Sequence, residues 1–302
     1  MDQECYEDLA RRQLANVCLI ALEDFERDDA ALVAVKSERS LAEYYFTCTP
    51  SLPLYIFRHF PEQNIITYLD ADLFFLSDPG PLFDELGPGS IGIIEHRLPA
   101  ALRHLEMYGI YNVGWITFRR DEQGLACLQW WRERCIEWCY DRVEPGRFAD
   151  QKYLDHWPAL FPGVRVLQHK GANVAPWNVS RYKLTVRGRQ IFVDDQPLLF
   201  YHFHGLNQVR PWLYNPRLSY YQLQMSDVLL KVYEMYIQIL QQNVHEDATP
   251  ASIRIPQRSM WKTYLDVLLG RYIYVADGRC HRTNSIGPMV RALQLLAASP
   301  AP

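Results

Sequence analysis

Two acids separated by one residue, Asp70-Ala71-Asp72, follow directly on an apolar run, and two histidines in the same alternation, His202-Phe203-His204-Gly205, follow on another. In an extended chain the side chains at i and i+2 share a face, so each pair would present two ligand groups side by side at a strand's exit. Hard carboxylates so placed suit a divalent cation. Such a cation can bridge the phosphates of a diphosphate and neutralise the charge that collects on it as a leaving group. His202 is the imidazole that would complete the set, with His204 as the alternative, and carboxylates mixed with imidazole suit Mn²⁺ better than Ca²⁺. The acid pair alone is weak, because a chain of this length shows roughly one such triplet by chance and paired acids often mark exposed loops. The plainer account of the histidines is a strand with alternate His on one face, one of them hydrogen-bonded in the interior.

Two further groups carry chemistry. Asp150-Gln151, within Phe148-Ala149-Asp150-Gln151-Lys152-Tyr153, precedes a short helix and in isolation would serve as an N-cap. Asn112 and Gly114, within Tyr111-Asn112-Val113-Gly114, enter a strand and in isolation read as a turn that needs positive φ.

The elements that must position these residues alternate. A helix is expected over 2–12, with Tyr6 and Leu9 on one face, then a buried strand over 17–22 and a helical stretch over 30–45 that continues past Pro50 and Pro53. Ile65-Ile66-Thr67-Tyr68-Leu69 reads as a strand buried on both faces. Pro79-Gly80-Pro81 marks a turn, and strands are expected at 91–94 and 113–118. Leu128, Trp131, Cys135 and Trp138 give 121–142 the clearest helical stripe. Strands recur at 164–167, 183–186 and 191–193, the last two joined as a hairpin through Arg187-Gly188-Arg189. Beyond Pro211 the periodicity turns helical, with one stripe through Val228, Leu229, Val232, Tyr233, Ile239 and Leu240 and another through Trp261, Tyr264, Leu265 and Leu268 that ends at Gly270. The expectation is an α/β core over 1–212, a mostly parallel sheet flanked by helices with ligands at its C-terminal strand ends, and a helical extension over 213–302.

Composition narrows the class. The 302 residues are 49% hydrophobic, enough for a large core, and the net charge of −4 gives no global basic field for nucleic acid. Residues 251–302 are the exception, with seven Lys or Arg against two acids. Arg258, Lys262, Arg271 and their neighbours there could rest on an anionic membrane surface or grip a phosphate-rich acceptor, or be ordinary charge scatter on a solvated helix. Seven cysteines with no C-x-x-C pair suit a reducing compartment, and Cys135 with Cys139 reads as core packing rather than zinc. Met1-Asp2-Gln3-Glu4 lacks the basic and apolar regions of a signal peptide, and no apolar run nears the roughly 20 residues that span a bilayer. A cytoplasmic protein, at most peripheral on the membrane, is expected.

The order Ile66-Thr67-Tyr68-Leu69-Asp70-Ala71-Asp72, then Tyr111-Asn112-Val113-Gly114, then Asp150-Gln151, then His202-Phe203-His204-Gly205 resembles glycosyltransferases of the GT-A type, closest to family 8, over about residues 40–212. The resemblance implies a GT-A-like (Rossmann-like) fold and transfer of a sugar from a nucleoside-diphosphate donor, UDP-sugar above all, to a hydroxyl of a glycan or lipid-linked acceptor in cell-surface polysaccharide synthesis, with Mn²⁺ or Mg²⁺ as cofactor. It implies that Asp70 and Asp72 bind metal and diphosphate and that His202 is the third ligand. It places Asn112 at the donor sugar or acceptor, with Gly114 and Gly205 beside the donor, and Asp150 and Gln151 near the reacting carbon. The family's Lys-Pro-Trp is displaced here: Gln208 stands at the lysine spacing and Arg210-Pro211-Trp212 comes two residues later, so Arg210 would supply the charge. Retention of anomeric configuration is the family's habit. The strand–helix–strand with which such enzymes open is missing before Asp2; either the start lies inside a longer reading frame, which the retained metal motif favours, or the donor pocket is damaged. A non-catalytic sugar-nucleotide-binding or scaffold protein is the principal rival. A metal-dependent phosphohydrolase or nucleotidyltransferase would leave Asp150-Gln151 and His-x-x-Gly without a use.

Overall fold

The structure, a computed structural model, describes residues 3–243 and 260–298. In chain order the first half forms helices α1 (Gln3–Arg11), α2 (Leu22–Arg27), α3 (Ala30–Val35) and α4 (Leu41–His59), then strands β1 (Ile65–Leu69) and β2 (Leu73–Phe75) and helix α5 (Gly80–Leu86). Strands β3 (Ile91–Glu95) and β4 (Tyr111–Arg119), helices α6 (Glu122–Glu137) and α7 (Trp157–Leu160), and strand β5 (Val164–Val166) follow. Two compact units result. One comprises the chain up to Asp70 with Gly80–Arg97 and Arg103–Gln168, the other Ala71–Pro79, Leu98–Leu102 and the chain from His169 onward, so the units do not divide at residue 212.

The first unit is α/β. Its sheet has the order β1-β4-β3-β5. β4 runs antiparallel to both β1 and β3, while β5 is parallel to β3. Three of the four strands therefore point one way, as expected of a mostly parallel sheet flanked by helices, and a reversed β4 inserted between β3 and β1 makes two of the three pairings antiparallel. Helix α6 covers the sheet because Cys127, Leu128, Trp131 and Cys135 recur on one face and are all buried. Asp121 caps it, its carboxylate accepting the Gly124 N–H at 2.8 Å. Trp131, Trp157 and Phe118 centre the core, and Cys135 and Cys139 are buried in it as packing residues.

Three local expectations change in this unit. β1 is half-buried rather than buried on both faces, and Leu69 is 40% exposed, because the strand lies at the edge of this sheet. Residues 17–21 form no strand: Val17 is exposed and the run ends in α2, whose first turn carries Glu23 and Asp24. A short apolar run cannot be told from a helix approach by periodicity, and acids in a first turn favour the helix. The stretch over 30–45 breaks at Ser40, which forms a capping box with Glu43 and starts α4, a helix that does run on through Pro50 and Pro53.

The second unit is built from short strands and later helices. Strands β6 (Leu184–Arg187), β7 (Gln190–Val193) and β8 (Gln196–Pro197) form an antiparallel meander, with the first turn at Gly188 as expected. Strand β9 (Phe200–His202) pairs antiparallel with β2. Strands β10 (Asn207–Arg210) and β11 (Leu213–Asn215) begin a second sheet, completed after helices α8 (Asp227–Asn243) and α9 (Met260–Leu268) by strands β12 (Ile273–Ala276) and β13 (Arg279–Arg282); helix α10 (Ile286–Ala298) follows. The residues after 212 are thus not purely helical. The hairpin β12–β13 turns at Asp277-Gly278, both with positive φ, the signature of a two-residue turn between strands. On α8, Leu229, Val232, Tyr233 and Ile237 are buried while Ile239 and Leu240 are exposed, so the buried stripe stops a turn early. Tyr201, Phe203 and Tyr233 meet in the core of this unit.

Candidate functional site

In the second unit, the pairing of β2 with β9 gathers one group of side chains. Leu73 stands opposite His202, and beyond the strand end the Phe203 N–H donates to the Asp72 carbonyl at 2.9 Å. His202 is held from its other side, its N–H donating to the Val174 carbonyl at 2.8 Å. This register sets the His202 Nε2 2.9 Å from Asp72 Oδ1. His204, two residues on, falls beside them, and one ligand atom from each of Asp72, His202 and His204 lies within 4.8 Å of the others. Trp177 packs edge-on against both imidazoles, its ring 5.0 Å from that of His202 and 5.5 Å from that of His204.

The electrostatics suit a cation. Burial alone would raise the Asp72 carboxyl, but the hydrogen bond and charge of His202, joined by His204, outweigh it and hold the group below the usual carboxylate range. His204 is pushed down, first by desolvation, then by His202 and Arg217, against the pull of Asp72. A neutral imidazole offers a lone pair, and one carboxylate with two imidazoles is a donor set that fits Mn²⁺ and its transition-metal neighbours. His202 is buried, Asp72 partly open and His204 exposed, so the group has a solvent path.

The backbone beyond His204 turns sharply. The Leu206 N–H donates to the Phe203 carbonyl at 2.9 Å, and Gly205 takes φ +74°, where a Cβ would stand 3.1 Å from Cδ of Arg217. Arg210 lies at the end of β10, its guanidinium donating to the Val209 carbonyl at 2.8 Å, and Gln208 donates to the Tyr214 hydroxyl at 2.9 Å.

In the first unit, β1, β4 and the segment before α7 gather a second group. The Asp70 N–H donates to the Gly114 carbonyl at 3.1 Å, and the Tyr68 hydroxyl donates to Asp70 Oδ1 at 3.0 Å. Asp150 is buried; desolvation, then the charge of Asp70, push its carboxyl up to about 7, against a hydrogen bond from Thr49. It follows Ala149, a non-glycine residue at φ +45°, and its carbonyl accepts the Trp131 indole N–H at 2.8 Å. Such strain persists only where the surroundings impose it.

Asn112 is fixed through every polar atom of its amide. Its Oδ1 accepts the Gly114 N–H at 3.1 Å, which sets the amide's orientation, and its Nδ2 donates to Gln151 Oε1 at 3.3 Å and His96 Nε2 at 3.4 Å. His96 in turn bonds the Ile110 carbonyl through Nδ1 at 3.2 Å, which places its proton there and leaves Nε2 as the acceptor. Gln151 donates to the Tyr108 carbonyl at 3.1 Å.

The structure thus brings Asp70, Asn112, Gly114, Asp150 and Gln151 together in one unit and Asp72, His202, His204 and Gly205 together in the other. Tyr68, His96, Trp177 and Arg217 were not singled out from sequence. His96 alone had a signal, its place just past the end of β3, where α/β sheets bind ligands.

No family model matches the chain. It is 30% identical over 249 residues to the uncharacterized protein YfnD of Bacillus subtilis (strain 168), covering 82% of this chain and 79% of that protein. It is 33% identical over 213 residues to the uncharacterized protein YfnF of the same organism, covering 68% of this chain and 70% of that one. Among solved structures it is similar to a glycosyltransferase involved in the glycosylation of the major capsid of PBCV-1, at 14% identity and a TM-score of 0.33 over 53% of this chain and 70% of that one. It is also similar to apo mouse xyloside xylosyltransferase 1, at 15% identity and a TM-score of 0.40 over 67% of this chain and 81% of that one.

Proposed function

The chain belongs to the family of the Bacillus subtilis proteins YfnD and YfnF, and on that premise we propose that it is a metal-dependent glycosyltransferase using a nucleoside-diphosphate sugar. Both relatives are uncharacterized, so support comes from the residues. The observation that carries the proposal is the convergence of Asp72 with His202 and His204, which are distant from it in sequence, into one group with metal-ligand spacing. These three would hold the cation, with Asp70 two residues before Asp72 in the chain as a further acid for metal or diphosphate. A divalent ion bound there neutralises the charge that gathers on a departing diphosphate.

In the transfer, the bond from the anomeric carbon to the phosphate oxygen breaks, and a bond from the acceptor hydroxyl oxygen to that carbon forms. In the retaining course favoured here, the departing phosphate oxygen takes the hydroxyl proton. Asp150 then serves as the anion that stabilises positive charge on the anomeric carbon, which requires its ionised form. Asn112 and Gln151, mutually bonded, would orient hydroxyls of the sugar or acceptor. Gly114, Gly205 and Arg210 are the remaining contacts proposed for donor or acceptor. A UDP-sugar, Mn²⁺ or Mg²⁺, and a glycan or lipid-linked acceptor of cell-surface polysaccharide synthesis on the cytoplasmic side complete the assignment.

The test is a panel of nucleotide sugars scored for Mn²⁺-dependent thermal stabilisation. One donor should raise the melting temperature only with metal, the shift should vanish in His202→Ala, and that donor should be turned over, with NMR of the product's anomeric proton showing retention. No metal-dependent shift with any donor would sink the proposal. Binding without transfer or hydrolysis at any Mn²⁺ concentration would reduce the protein to a sugar-nucleotide-binding module.

A further inference from the structure

The geometry points to Arg217 as the cation that holds the diphosphate beside the Asp72–His202–His204 group, an inference that rests on the proposed metal-dependent reading of that group. Arg217 sits in the left-handed region at φ 53°, ψ 21°, a conformation that glycine or asparagine takes far more cheaply. The surroundings enforce it: buried Asn215 accepts the Arg217 N–H through Oδ1 at 2.9 Å, and the Arg217 carbonyl accepts the Tyr220 N–H at 3.1 Å. The consequence is directional. The side chain is laid across the Gly205 turn, with Cδ 3.1 Å and Nε 3.8 Å from where a Gly205 Cβ would be, immediately after His204.

Gly205 is therefore needed twice, for its positive φ and for the space the Arg217 stem occupies. The guanidinium's field reaches both His204 and the Tyr221 ring that packs against it, 6.4 Å between centroids. A guanidinium fork matches phosphate oxygens, and Arg217 itself is exposed, so its fork can meet a ligand. Charge balance favours the same assignment. A divalent ion with Asp72 and two neutral imidazoles carries about one positive charge, and less if Asp70 also reaches it, whereas a diphosphate diester brings about two negative ones. Arg217 offsets one of them.

Calorimetric titration of the full chain tests this, first with Mn²⁺ alone and then with inorganic pyrophosphate in saturating Mn²⁺. The proteins are the wild type, Arg217→Asn, which tolerates the left-handed backbone, and Arg217→Lys. Arg217→Asn should weaken pyrophosphate about tenfold or more, as expected for a lost charge-assisted pair. The same variant should bind Mn²⁺ as tightly as wild type or more tightly, because a like charge has gone. Arg217→Lys should recover part of the pyrophosphate affinity. Those opposite signs for metal and anion separate ligand binding from a merely structural role. Unchanged pyrophosphate affinity in Arg217→Asn, or loss of Mn²⁺ and pyrophosphate together in both Arg217 variants, overturns the inference while the metal reading stands. Failure of the wild type to bind Mn²⁺ overturns the metal reading and this inference with it.

Discussion

A carboxylic acid buried near another acid titrates near neutrality, and that is the position of Asp150. Its pKa rises from 3.8 to about 7, so between these values the native state keeps a proton that the unfolded chain has released. Stability is then present at low pH and is lost as pH climbs through that window, at about 1.4 kcal/mol per pH unit and up to about 4 kcal/mol in all. Asp150→Asn cannot ionise. Relative to wild type it should be more stable at pH 8 than at pH 5, read from urea midpoints, and an equal difference at both values would contradict the burial assigned to Asp150. The same variant should lose about 100-fold or more in sugar transfer while keeping Mn²⁺-dependent donor stabilisation, because Asp150 is assigned to the transition state and not to the metal. Wild-type activity should rise with pH through about 7, as the ionised form accumulates.

At the scale of elements, α6 is the rigid support of the first unit, and its start is fixed by close contacts. Asp121 accepts from Gly124 N–H and, through its other oxygen, from the Ser90 hydroxyl at 2.9 Å. Asp121→Ala should cost about 1–2 kcal/mol in a chemical melt, since it loses both the cap and the link to β3. Gly124 lies so near β4 that a Cβ would come within 2.1 Å of the Arg119 carbonyl oxygen. Gly124→Ala should therefore destabilise by about 3 kcal/mol although alanine is the better helix former, and a stabilised Gly124→Ala would refute that close approach. The helix itself was legible because Leu128, Trp131 and Cys135 repeat at its period. β1 and residues 17–21 were misjudged for the opposite reason: whether an apolar run is a central strand, an edge strand or an irregular lead-in is decided by its neighbours.

For the whole molecule, the charge is −4 but the last fifth is basic, and no helix among the described residues is long and apolar enough to cross a membrane. Arg254 and Arg258 lie outside the described residues. Of the others, Arg271 pairs with Asp266 at 2.9 Å and Arg282 with Asp227 at 2.7 Å, while Arg279 and Arg291 are exposed and stand as the proposed membrane-facing charges. Co-sedimentation with anionic vesicles should exceed that with zwitterionic ones and fade at high salt, since each surface charge contributes about 1 kcal/mol within a Debye length. Binding indifferent to both salt and lipid charge would remove the proposed contact.

The sequence by itself determined the inventory of chemistry: acids at a strand's exit, alternating histidines before a glycine, an acid–amide pair and an Asn-x-Gly, in that order. Residue type and local alternation are properties of a few bonds, and they survive in the primary structure. Tertiary structure decided which of those groups meet. Asp72 joins His202 and His204 because β2 pairs with β9 in one register, and a slip of one residue would turn the histidines away. Asp150 becomes a weaker acid than an ordinary carboxyl only because the fold buries it near Asp70. His96 reaches Asn112, and Arg217 lies across Gly205, through contacts between segments that no periodicity records. The strands after residue 212 belong to the same lesson, with one difference: Asp277-Gly278 was a hairpin signal already present in the sequence, outweighed by the helical stripes on either side.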